Sequence, residues 1–141
     1  MTAVMRYDRW KGSVIMGLLD SIKNLFSKKD VMELIAEYAE NGDVGKLVKY
    51  TAENYPIDTR LAAIDGLKEI KMDDLCVSTL MSLLNEDNKE IQLAACESLK
   101  RVGTKREVDV LRHKAENEED EDIAAALTAA AVEAKERTPR F

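Results

Sequence analysis

Leu61-Ala62-Ala63-Ile64-Asp65-Gly66-Leu67-Lys68-Glu69-Ile70 returns 32 residues later as Leu93-Ala94-Ala95-Cys96-Glu97-Ser98-Leu99-Lys100-Arg101-Val102. A weaker third copy starts at Ile123. A period of this length marks stacked helical units that bury their apolar faces against one another. Shifted by 32, Thr59, Ile91 and Ile123 share a column, as do Ala63, Ala95 and Leu127. Leu67, Leu99 and Ala131, then Ile70, Val102 and Ala134, complete an apolar stripe. A second set is small throughout: Ala62, Ala94 and Ala126, with Gly66, Ser98 and Ala130. Small side chains one turn apart predict close approach by a neighbouring helix, as expected where each helix touches partners on two sides.

The flanking residues supply helix boundaries. Asp30-x-x-Glu33, Asp87-x-x-Glu90 and Thr104-x-x-Glu107 have the capping-box spacing, in which two side chains satisfy otherwise orphaned backbone N–H groups. Val31, Leu34, Ile35 and Tyr38 mark the buried stripe of a first helix, which Asn41-Gly42 ends. Asp43 opens the next, with Val44, Leu47, Val48 and Thr51 facing inward, and Asn54-Tyr55-Pro56 breaks it. Further helices are predicted at 58–70, from Asp73 to Leu84, near 88–102, at 105–116 and at 121–136. Gly103 is expected to be a left-handed terminating residue, and Thr138-Pro139 ends the last helix. No strand pattern competes.

The first helices of successive pairs agree in kind, with Leu47, Leu80 and Leu111 beginning similar stretches. Short polar turns follow them at 53–58, 85–89 and 117–122. A leucine-rich first helix, an Asp/Asn turn and then Arg60-Leu61-Ala62-Ala63 through Leu67 and Ile70 resembles HEAT repeats, above all the short ones common in bacterial proteins. The resemblance covers about 43–137, with 30–42 as an N-terminal half-unit. It implies an all-α fold: a short right-handed α-α superhelix of about three helix pairs, preceded by one or two helices. Gln92 and Ala124 depart from the pattern, standing where the family usually has Arg, so a continuous inter-repeat Arg–Asp ladder is not expected. The Ala-rich third unit has the character of a terminal cap.

Charge is unevenly spread. The net charge is −6, but residues 1–30 hold six Lys/Arg against three Asp/Glu, or +3, which leaves −9 for the remainder. An acidic body disfavours duplex nucleic acid, whose phosphates need a cationic face. Cys76 and Cys96 lie within apolar helical patterns and read as buried, reduced thiols. Val14 to Leu19 is apolar but lacks a signal-peptide cleavage site, and no segment approaches the ~20 apolar residues of a membrane span. A soluble, cytoplasmic protein is expected.

Four segments follow: an irregular leader at 1–15, an amphipathic helix at 16–29, the repeat domain at 30–137 and a tail at 138–141. Lys11-Gly12-Ser13 is compatible with a purine-rich ribosome-binding sequence ahead of the Met16 codon, which would make 1–15 a translated leader. Leu18, Leu19, Ile22, Leu25 and Phe26 share one face of the 16–29 helix. That face could cap the end of the stack, lie on a membrane surface or dock a partner.

No catalytic, cofactor or metal residues are expected. His113 is the only histidine, so a multi-imidazole metal centre is impossible, as are the repeated His-Glu pairs of HEAT-like di-iron hydroxylases. The acidic run from Glu116 to Asp122 lacks the Asp-x-Asp-x-Asp-Gly spacing that wraps Ca²⁺ and reads as a solvated turn. In the HEAT family the second helices line the inner side of the stack. The resemblance therefore implies Asp65, Lys68, Glu69, Glu97, Lys100 and Arg101 as candidates for contact with a protein partner, in a non-enzymatic scaffold or adaptor. A HEAT-like lyase or accessory subunit, and a peripheral membrane adaptor using 16–29, are the alternatives.

Overall fold

The computed structural model describes residues 30–139, and the chain divides into two units at Leu34/Ile35. The second unit, taken by itself, is a succession of helices: the part of α1 (30–41) from Ile35 onward, α2 (Val44–Tyr50), α3 (Ile57–Leu67), α4 (Asp74–Leu83), α5 (Lys89–Val102), α6 (Val108–Asn117) and α7 (Glu121–Ala134). A 3-10 turn, Lys105–Glu107, leads into α6. There is no strand among the described residues. α2 packs on α3, α4 on α5 and α6 on α7, and the second helices stack in the order α3, α5, α7.

The 32-residue columns are the core. Every member of the four apolar columns is buried, from Thr59, Ile91 and Ile123 to Ile70, Val102 and Ala134. Leu47, Leu80 and Leu111 of the first helices are fully buried against them. Burying one leucine is worth about 1.5–3 kcal/mol, against about 1 kcal/mol for a helix cap. The columns therefore decide the fold, and the caps decide where each helix starts. α3 stops at Leu67, three residues short of the predicted end. Ile70 still joins its column because i→i+3 bonds from Lys68, Glu69 and Ile70 tighten the chain into a last turn.

The small row splits in two. Gly66, Ser98 and Ala130 are buried, whereas Ala62, Ala94 and Ala126 are only half-buried. Close approach is seen along the first row. A Cβ on Gly66 would meet Leu47 Cδ2 at 3.1 Å and Ala39 Cβ at 3.2 Å, and Ser98 Oγ donates to the Ile64 carbonyl across the repeat boundary at 2.8 Å.

Boundary expectations fare unevenly. Asp43 and Asp73 cap α2 and α4 through bonds from the Lys46 and Cys76 N–H groups. Thr104 and Glu107 form the full capping box. Gly42 ends α1 at φ +68°. Asp30, in contrast, is already helical, so it is not the expected cap. Asn88, not Asp87, caps α5, because its extended backbone aims the side chain at the Ile91 N–H. Gly103 is extended (φ −63°, ψ 154°) rather than left-handed. Its glycine is required by space, since a Cβ would stand 2.7 Å from the Leu99 carbonyl oxygen. The left-handed residue between repeats is Met72, at φ 58°.

Candidate functional site

Asp65 stands near the end of α3, Lys68 and Glu69 in the turn just beyond it, and Glu97, Lys100 and Arg101 in the C-terminal half of α5. Asp65, Glu69, Glu97, Lys100 and Arg101 are exposed, and Lys68 is half-buried. Two pairs form. Lys68 Nζ lies 2.8 Å from Asp65 Oδ1, and Arg101 reaches across the repeat boundary to Glu69 at 3.8 Å. The hydrogen bond from Lys68 to Asp65 holds the ammonium above its ordinary pKa, and their charge attraction adds to this. Both pairs are in water and add little stability. Their effect is to fix an alternating pattern of charge.

Glu97, Lys100 and Arg101 also line a polar recess of about 330 Å³ with Lys71, Glu133 and Arg137. The last three were not among the sequence candidates. Glu133 carried a readable signal: the 32-residue shift that takes Glu69 to Arg101 also takes Arg101 to Glu133. Arg137 carried none. Its guanidinium folds back onto the end of α5, donating to the carbonyls of Gly103 at 3.0 Å and Lys100 at 2.7 Å, while its own carbonyl accepts from the Lys105 N–H at 2.8 Å. It thereby satisfies carbonyls that a helix end leaves open.

The thiols lie elsewhere. Cys76 and Cys96 are buried and reduced. Burial pushes each thiol up to about 12, with Asp73 adding to the effect at Cys76 and Glu118 and Glu97 at Cys96. Neither is a thiolate nucleophile at neutral pH. Cys76 Sγ donates to the Leu67 carbonyl at 3.3 Å, a structural use of the group. His113 is exposed, with Asn117 donating to its carbonyl at 2.8 Å. Among the described residues, no three His, Cys, Asp or Glu side chains are placed to hold a metal ion, and no helix is long and apolar enough to cross a membrane. Leu18, Leu19, Ile22, Leu25 and Phe26 lie outside the described residues.

Three tyrosines whose grouping the sequence reading did not anticipate cluster at the other end of this unit. Tyr50 stacks on Tyr38 with ring centroids 6.4 Å apart, and Tyr55 lies 4.9 Å from Tyr50. All three are half-buried. The turn after α2, in which the Tyr55 N–H donates to the Ala52 carbonyl at 3.1 Å, brings Tyr55 back to Tyr50.

Comparison with curated proteins and with solved structures returns no match. A family model described as HEAT repeats matches residues 44–131, more than half of the chain. The paired, stacked helices between Val44 and Ala134 are what that match requires, and the chain belongs to the HEAT-repeat family.

Proposed function

We propose that this protein is a non-catalytic scaffold or adaptor that recognises a protein through the exposed surface of its second helices. HEAT repeats generally mediate protein–protein interaction. The observation that carries the reading is the set of Asp65, Lys68, Glu69, Glu97, Lys100 and Arg101 at the C-terminal ends of two successive second helices, continued by the recess that Glu133 and Arg137 help to line. Alternating charges at fixed spacing favour one register of a polar partner and reject others.

The test is quantitative co-purification with the tagged protein and with a variant carrying Asp65→Ala, Glu69→Ala, Glu97→Ala, Lys100→Ala and Arg101→Ala. A stoichiometric protein lost with the variant is expected. Retention of that protein by the variant would rule out this surface. A bound lipid or small molecule in place of a protein would favour the membrane or lyase reading.

A further inference from the structure

Among the positions at which the repeats differ, the column of Arg60 and Gln92 stands beside a pocket. In the first repeat Arg60 is buried. Its Nε donates to the carbonyl of Thr51, the C-cap of α2, at 2.8 Å. Its terminal nitrogen reaches Glu86 in the turn of the next repeat at 2.6 Å. The second repeat has Gln92 in that column. Gln92 repeats the first contact, donating to the carbonyl of Leu84, the C-cap of α4, at 3.2 Å. It is too short to make the second.

Glu118 is the counterpart of Glu86: each stands two residues ahead of the N-cap of the following helix, Asn88 and Asp120. One oxygen of Glu118 accepts from the Asp120 N–H at 3.0 Å, and no Lys or Arg among the described residues pairs with it. Between Gln92 and Glu118 lies a pocket of about 220 Å³ whose apolar lining includes Leu84, Ile123 and Leu127, with His113, Lys114 and Asn117 also at its wall.

We infer that this pocket accepts an arginine side chain from a protein partner, with Glu118 taking the part that Glu86 plays for Arg60. The apolar residues would receive the methylenes, and the carboxylate would pair with the guanidinium through charge-assisted hydrogen bonds. Glu118 is the acidic residue of the lining and belongs to an acidic run of the chain between Glu116 and Asp122. Of the nearby cations, Lys89 is engaged with Asp120 and Asp122, and Lys114 is turned to Asn85 Oδ1 at 2.6 Å. The inference does not depend on the second-helix surface, and its test is separate.

The probe is Nα-acetyl-arginine N-methylamide, titrated into the isotope-labelled full chain and followed by NMR. The lysine and citrulline analogues serve as controls. Saturable shifts at the Gln92 and Asn117 side-chain amides are expected with arginine. Lysine should bind more weakly, because it cannot make the planar two-pronged contact, and neutral citrulline should give no saturation. Glu118→Gln should weaken binding by about tenfold or more. Gln92→Arg should fill the pocket from within, abolish binding and raise the melting temperature, and that rise also reports that the variant folds. No saturable shift with arginine, equal shifts with lysine, or full binding retained by a folded Gln92→Arg variant would each overturn the inference.

Discussion

The joint between repeats one and two and the joint between repeats two and three occupy equivalent places and are closed by different chemistry. At the first, a buried guanidinium reaches Glu86 and a buried hydroxyl crosses to the Ile64 carbonyl. At the second, contact is made mainly by small side chains. Ala130, Ala131 and Ala134 are all buried in α7, which lies more extensively against α5 than α5 does against α3. The polar links there are Lys89 to Asp120 and Asp122 at the surface, and Arg137 to the Gly103 and Lys100 carbonyls at the end of α5. The same architecture is thus closed in this chain both by a guanidinium–carboxylate pair and by a close alanine contact.

Four experiments bear on this contrast, from the largest expected effect to the smallest. Arg60→Gln gives the first joint the chemistry of the second. Gln can keep the bond to the Thr51 carbonyl, but Glu86 loses its partner. A loss of about 1.5–3 kcal/mol in urea unfolding is expected, together with new binding of the capped arginine probe at this joint. Ala130→Leu attacks the close approach of the second joint and should cost about 1–3 kcal/mol by overpacking. Ala126→Leu, on the half-buried row, should stay within about 0.5 kcal/mol. Equal effects would mean that the two small rows are not distinct.

Ser98→Ala removes a crossing bond that the second joint lacks, since Ala130 holds the same column. About 1 kcal/mol is expected. The smallest effect is a pH dependence. The hydrogen bond from Lys89, with another from the Ile123 N–H, holds the Asp120 carboxyl below its ordinary pKa. A lowered folded pKa means that the unfolded chain takes up the proton first as pH falls. The contribution is therefore present above the unfolded value, about 3.9, and is lost as pH drops through the folded one. Acid melting of Asp120→Asn should be correspondingly less steep below about pH 4.

Legibility followed the physics of each feature. The apolar columns could be read from sequence because side-chain volume and a fixed period determine them, and every member is buried. Caps depend on the backbone angle of one residue, so Asp87 and Asn88 could not be told apart by composition. The Gly103 expectation failed because a glycine can be demanded by space as well as by positive φ. Half of the small row was misjudged because Ala is equally compatible with a tight contact and with a half-exposed position. Glu133 was readable by the period that gave Glu69 and Arg101. The replacement of Arg60 by Gln92 was visible as a departure from the repeat, but the pocket beside it depends on where the Leu84 carbonyl and Glu118 stand, which only the fold determines.

The return of Arg137 to the end of α5 has a consequence for cooperativity. In a repeat protein each unit can in principle unfold separately, with stability set by its own terms and those of its interfaces. Here the Lys100 and Gly103 carbonyls receive their hydrogen bonds from a residue 37 and 34 positions later, and the Lys105 N–H donates back to the same residue. Undocking α7 therefore strips the cap from α5 and the first bond from the segment that leads into α6. The second and third repeats should open as a single unit in native-state hydrogen exchange, so that the Lys105 amide, bonded to the Arg137 carbonyl, exchanges with the free energy of α7.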